Sequence, residues 1–236
     1  METKIFDHYL DLEKKWGFQP NVLFNDYSKT IWYKPSRTAG TSLAETIYRF
    51  SNDYISPKNY YFAPINELVD KVSDFDFIKN YFKFIIVRNP YDRTLSMYRW
   101  VKKNPKHFKS INCDKLTFED FIQNKIIDKE TGLFSNPHYL PQTSCLILSD
   151  SEKLPATEYI DAVFRFENLE LSFNYIIAYI FGRTMNWHNE IYKKIIKIND
   201  TFDKTDLRNY YNRRTKKIVE DLYEYDFNLY ELGESK

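Results

Sequence analysis

The stretch that most limits what this chain can become is Phe82–Val87, which reads Phe-Lys-Phe-Ile-Ile-Val and is followed at once by Arg-Asn-Pro. Ile85, Ile86 and Val87 are apolar in succession, so a strand built from them must be covered on both faces. Such a strand belongs in the middle of a parallel sheet with helices on either side. Asn89 and Pro90 then supply an N-cap and a first-turn residue for a helix running to about Lys102. Two further stretches repeat this order. Lys29–Tyr33 is β-branched and aromatic, is stopped by Pro35, and leads through the loop Ser36–Gly40 into a helix. Thr41 or Ser42 would cap that helix, and Leu43, Ile47 and Phe50 share its inner side. Ala162–Phe166 reads as a third strand and Leu169–Phe181 as the helix after it.

Near the C-terminus, Leu207, Tyr210, Tyr211, Ile218, Val219 and Leu222 fall on one helical face. Asn104–Phe134 is more polar and is expected to hold helices packed on the outside. Strands alternating with helices predict a three-layer α/β fold, a central and mostly parallel sheet flanked by helices. No repeat, low-complexity tract or Gly/Ser linker divides the 236 residues, so one domain over 1–236 is expected.

Charge and cysteine content exclude several classes of function. There are 34 Lys+Arg against 33 Asp+Glu, a net charge of +1, which gives no broad electrostatic hold on nucleic acid. The two cysteines, Cys113 and Cys145, cannot form a disulfide framework or a four-thiolate metal site. No run of apolar residues is long enough for a membrane span, and the N-terminus lacks the apolar core of a signal peptide. The expected compartment is a reducing cytoplasm. Nothing in the sequence fixes an oligomeric state.

The chemistry is concentrated at two strand-to-helix turns. The first reads Ser36-Arg37-Thr38-Ala39-Gly40-Thr41-Ser42-Leu43. It puts a cation, a glycine and hydroxyls where backbone N–H groups at a helix start favour an anion. Read alone, the same pattern also serves an ordinary capped helix with a solvated Arg37. It is not a Walker A loop, because no second glycine stands at the required spacing, and a nucleoside-triphosphate kinase is disfavoured. The second turn reads Val87-Arg88-Asn89-Pro90, with Ser96 about two helical turns further on. Arg88 stands at the C-terminal end of a buried strand, where open α/β sheets bind ligands. Its bland alternative is an ion pair with Asp92.

Arg37-Thr-Ala-Gly-Thr-Ser-Leu43 resembles the 5′-phosphosulfate loop of the carbohydrate-type (family 2-like) sulfotransferases, and Phe84–Tyr98 resembles their 3′-phosphate motif. Asp161–Leu169, Lys197-Ile-Asn-Asp200 and Ile218–Phe227 resemble later family blocks, in the family order. The resemblance implies a P-loop-like α/β fold and the donor 3′-phosphoadenosine 5′-phosphosulfate (PAPS). By position it implies that Arg37, Thr38, Ala39, Gly40, Thr41 and Ser42 hold the 5′-phosphosulfate and Arg88 and Ser96 the 3′-phosphate; Lys197 and Asn199, just before the C-terminal helix, are placed to close over the nucleotide. It further implies in-line transfer of a sulfuryl group to a hydroxyl or amine of a carbohydrate or small metabolite, without a metal.

Two departures stand out. Arg37 replaces the family lysine, and an arginine cannot release a proton at ordinary pH. Lys34, three residues away, is a poor substitute by position. Many relatives carry a His or Glu base between the two phosphate motifs, whereas this chain has no His between Gly40 and Arg88. His138, in Asn136-Pro-His-Tyr-Leu-Pro-Gln142, resembles a His-aromatic-x-x-Gln stretch of some members and is the first candidate base, with Glu45 the second. These departures motivate a competing reading, a catalytically degenerate nucleotide-binding module of the same fold. The acceptor pocket would be built by residues 51–75 and 103–145, whose aromatics carry no legible specificity.

Overall fold

The computed structural model describes residues 22–25, 28–40, 42–43, 63–64, 80–105, 113–123, 137–146, 160–181 and 207–233. Five strands form one sheet: β1 (Val22–Asn25), β2 (Thr30–Tyr33), β3 (Ala63–Pro64), β4 (Phe82–Val87) and β5 (Ala162–Arg165), in the order β3-β1-β2-β4-β5. β2, β4 and β5 are parallel neighbours, with Tyr33 opposite Ile85 and Val87 opposite Arg165. β1 runs antiparallel to both β2 and β3 and extends the sheet on one side. The three parallel strands are the ones their apolar content predicted. β5 is one residue shorter than expected, because Phe166–Asn168 winds into a 3-10 turn before the next helix.

Strand alternation sorts the side chains onto two faces. Trp32, Phe84 and Ile86 pack on one face against Phe173, Ile176 and Ile180. Ile31, Tyr33, Ile85 and Val87 pack on the other, against Cys145, Leu146 and Leu229. All six residues of β4 are buried, as a central strand requires. The helices are α1 (Pro90–Lys103), α2 (Phe118–Phe121), α3 (Leu169–Phe181), α4 (Arg213–Leu222) and α5 (Glu224–Leu232). α3 covers the first face and α5 the second, which gives the three layers. A third cluster joins Leu95, Met97 and Val101 of α1 to Phe118 and Phe121 of α2 and Val219 of α4.

Asn89 caps α1 as expected, its side chain accepting from the Tyr91 N–H at 3.0 Å. The C-terminal region differs from the single helical face read from sequence. Leu207–Asn209 is a separate 3-10 turn, and Asn212 opens α4 with a reciprocal capping box to Thr215. The polar cap breaks the helix, yet Tyr211, Ile218, Val219 and Leu222 still converge on the third cluster. No helix among the described residues is long and apolar enough to cross a membrane.

Candidate active site

The first turn folds back on itself. The Thr38 hydroxyl donates to the Pro35 carbonyl at 2.8 Å, so Thr38 closes the loop with its side chain. Arg37 and Ala39 both take left-handed backbone, with φ of 69° and 64°. That conformation costs a residue bearing a Cβ roughly 1–2 kcal/mol, and such strain gathers at ligand clamps and active sites. Leu43 N–H donates to the Ala39 carbonyl at 2.9 Å, so the helix begins at Gly40 with Ala39 in the cap position. Ser42 therefore lies inside the first turn and is not the cap. The early start follows from the left-handed Ala39, which turns its carbonyl towards the helix two residues sooner than the hydroxyls suggested.

From this loop Arg37 reaches across to α1. Its Nε and Nη2 donate to Ser96 Oγ at 3.3 and 3.1 Å, and its guanidinium lies 5.7 Å from the centre of the Trp100 ring. Arg88, leaving the end of β4, donates from Nη1 to the Arg37 carbonyl at 3.5 Å and stacks 4.3 Å over Phe166. The two strand-to-helix crossings thus share one site. Arg88 is only 6% exposed, and its Nε has no hydrogen-bond partner among the described residues. A buried donor in that state costs about 1–3 kcal/mol unless a ligand or water completes it.

The backbone of Arg88 is held by Gln142. Arg88 N–H donates to Gln142 Oε1 at 2.8 Å, and Gln142 Nε2 donates to the Arg88 carbonyl at 2.9 Å. Asp226 of α5 in turn accepts from the Gln142 N–H at 2.8 Å, from the Thr143 N–H at 2.9 Å and from the Thr143 hydroxyl at 3.1 Å. Arg93 of α1 ties the same region to the loop. It donates from Nε to the Ser36 carbonyl at 3.0 Å and from Nη2 to the Leu140 carbonyl at 2.6 Å, and its Nη1 lies 3.6 Å from Asp226.

His138 sits beside the first turn. Its Nδ1 shares a hydrogen bond with Ser36 Oγ, and its ring lies 4.6 Å from that of Trp100. Arg93 Nη2 also approaches the His138 carbonyl, at 3.4 Å. Burial, then the nearby Arg37 and Arg93 guanidiniums, lower the imidazole from 6.5 to about 4, so the ring is neutral at pH 7. Burial and the charges of Arg88 and Arg93 lower Arg37 to about 10, which leaves it a cation. Burial lowers Arg88 as well, although Asp92 and Glu167 pull the other way. Lys34, lowered by burial, lies on the same loop with its stem against Gly40. Cations crowded together out of water favour an anion beside them.

Of the residues singled out from sequence, the structure brings together Arg37, Thr38, Ala39, Gly40, Ser42, Arg88, Ser96 and His138. Thr41, Glu45 and Lys197 lie outside the described residues. Ser96 meets Arg37, whereas its spacing had suggested Arg88. Arg93, Trp100, Gln142 and Asp226 were not singled out as site residues. Only Gln142, in the His-aromatic-x-x-Gln stretch, carried a local signal. No curated protein and no solved structure matches the chain. The profile of the Sulfotransferase family matches residues 22–233, the span that holds every element and site residue described above, and the chain belongs to that family.

Proposed function

We propose that this sulfotransferase takes PAPS as its donor and transfers the sulfuryl group to a hydroxyl or amine of a carbohydrate or small metabolite. The observation that carries the reading is the convergence of Arg37 and Arg88 from two separate crossings, with Arg88 Nε buried and unpartnered among the described residues. A ligand anionic at two points satisfies such a site better than a singly charged one. Arg37, Thr38, Ala39, Gly40, Thr41 and Ser42 would hold the 5′ end, and Arg88 with Ser96 the 3′-phosphate. Lys197 would lie near the nucleotide. Arg37 donates to the Ser96 hydroxyl, and donor binding would exchange that hydrogen bond for contacts to the ligand.

The donor supplies an activated sulfuryl group, whose bond to the 5′-phosphate breaks as the bond to the acceptor oxygen or nitrogen forms. What the chain contributes is position and charge. Arg37 and the loop amides face developing negative charge without needing to lose a proton. His138 takes the proton of the acceptor, being neutral and set against the loop. Its basicity is low, first because the ring is buried and then because two guanidiniums repel a proton there. A bound polyanion would offset the guanidinium part of that shift and move His138 upward. Trp100, between Arg37 and His138, forms one wall of the place where the acceptor must arrive. The buried thiols of Cys113 and Cys145 are compatible with a reducing cytoplasm.

The test has two stages. Thermal shift and calorimetry with adenosine 3′,5′-bisphosphate are expected to show binding, and labelled-sulfate transfer to a broad acceptor panel is expected to show turnover. Failure to bind the bisphosphate refutes the donor assignment. Binding with no transfer to any acceptor supports instead the degenerate nucleotide-binding module that the Arg at position 37 motivates.

A further inference from the structure

Gly40 does not take a left-handed backbone, so its conformation alone does not explain a glycine there. What requires the missing Cβ is a neighbouring side chain. A Cβ on Gly40 would lie 2.6 Å from Lys34 Cγ, 2.8 Å from Cδ and 3.6 Å from Cε. The stem of Lys34 therefore crosses the first residue of the loop helix in van der Waals contact. Its ammonium, one bond of about 1.5 Å beyond Cε, stays within about 5 Å of that point. Sequence spacing set Lys34 apart from the loop, because an extended chain of three residues spans about 10 Å. The left-handed Arg37 and Ala39, together with the Thr38-to-Pro35 hydrogen bond, fold the loop back so that the lysine stem lies across it.

We propose that Lys34 is a donor-binding residue of this site, its ammonium contacting the 5′ phosphate group held by residues 37–42. The inference rests on the PAPS reading above and concerns the 5′ end alone. It explains why a glycine stands at position 40 and why a lysine is kept partly buried against the loop, a placement that burial makes unfavourable for its charge and that the nearby Cys145 only partly offsets until an anion arrives. It also returns to the loop a compact ammonium, the type of cation that Arg37 removed.

The test compares two ligands, adenosine 3′,5′-bisphosphate and adenosine 3′-monophosphate, which lacks the 5′ group. Lys34→Met keeps an unbranched apolar stem over Gly40 and removes the charge. It is expected to weaken the bisphosphate by about ten- to a hundredfold, the worth of a charged hydrogen bond, and to leave the monophosphate within twofold. Lys34→Arg is expected to recover most of the loss. The ratio of the two affinities is measured on one folded sample, so a lower melting temperature does not imitate the result. Equal bisphosphate binding by wild type and Lys34→Met overturns the proposal, and so does a parallel loss of both ligands. A wild-type protein that binds neither ligand refutes the PAPS reading itself, and the inference falls with it.

Discussion

Asp226 offers the sharpest test of what holds the site in place. Its carboxylate is 0% exposed and receives the Gln142 and Thr143 amides, the Thr143 hydroxyl and the Arg93 guanidinium, itself 1% exposed. Asp226→Ala leaves a buried guanidinium without its counter-charge and two amides without their acceptor. Breaking one side of a buried pair costs about 3–5 kcal/mol, and the lost amide bonds overlap with that figure because all belong to one network. Against a total stability of about 5–15 kcal/mol this is a large fraction. With a urea m-value of about 3 kcal/mol/M, the midpoint should fall by about 1–1.7 M. Asp226→Asn should lose nearly as much, since one acceptor oxygen becomes an amide donor facing an N–H. A double-mutant cycle with Arg93→Met should show the two losses to be strongly sub-additive. A loss below about 1 kcal/mol for Asp226→Ala, or a coupling near zero, would refute the assignment of Asp226 as the anchor of Gln142 and so of Arg88.

Three further outcomes are expected. Arg88→Ala should weaken adenosine 3′,5′-bisphosphate by about 1.5–3 kcal/mol in calorimetry, and an unchanged affinity would remove Arg88 from the ligand site. His138→Ala should slow sulfuryl transfer by about 10²–10⁴-fold while bisphosphate affinity changes little, and full activity would dismiss His138 as the base. His138 titrates at about 4 in the folded chain against 6.5 unfolded, so the unfolded state binds a proton that the folded state refuses. Stability is therefore complete above pH 6.5 and declines as the pH falls towards about 4, by at most about 3 kcal/mol. His138→Phe should flatten that decline in urea denaturation, and an unaltered slope would contradict the burial of a neutral ring.

Strands β2, β4 and β5 were legible because each is apolar or β-branched and is followed at once by turn or cap residues. β1 was not, since it leads straight on to β2 with no Pro or helix cap behind it, and β3 was not, since two residues carry too little pattern. The C-terminal helices were misjoined for a related reason. Leu207 to Leu222 keeps helical spacing on paper, while the Asn212 cap that divides it is a local hydrogen-bonding choice that periodicity does not register. The two turns of the site were legible as turns, because each is a short local pattern. The Arg93–Asp226–Gln142 network was not, because Gln142 and Asp226 stand 84 positions apart and neither belongs to a pattern that names the other. The contact of the Lys34 stem with Gly40 was not legible either, because a loop with two left-handed residues makes distance along the chain a poor guide to distance in space.

The way the chain spends its carboxylates separates this site from a structural ion-pair cluster. Asp226 is committed to the Gln142 and Thr143 amides behind the site, and Glu167 accepts from the Asn89 N–H at 3.1 Å. Both therefore steady main chain next to Arg88 without clasping its guanidinium. Gln142 adds the N–H and carbonyl of Arg88 itself. Arg88 is thus positioned by its backbone, while among the described residues its guanidinium rests on a ring face and one long contact to a carbonyl, with the Asp92 and Glu167 charges acting on it without a closed ion pair. An arginine whose only task were stability would be placed the other way, with its fork closed on a carboxylate and its backbone left to the strand. Holding the main chain firmly and leaving the charged end underused keeps the energy of a charged hydrogen bond for whatever anion enters. By the same division, truncating Asp226 is expected to reach the ligand as well as the fold, because it loosens the backbone on which that guanidinium is mounted.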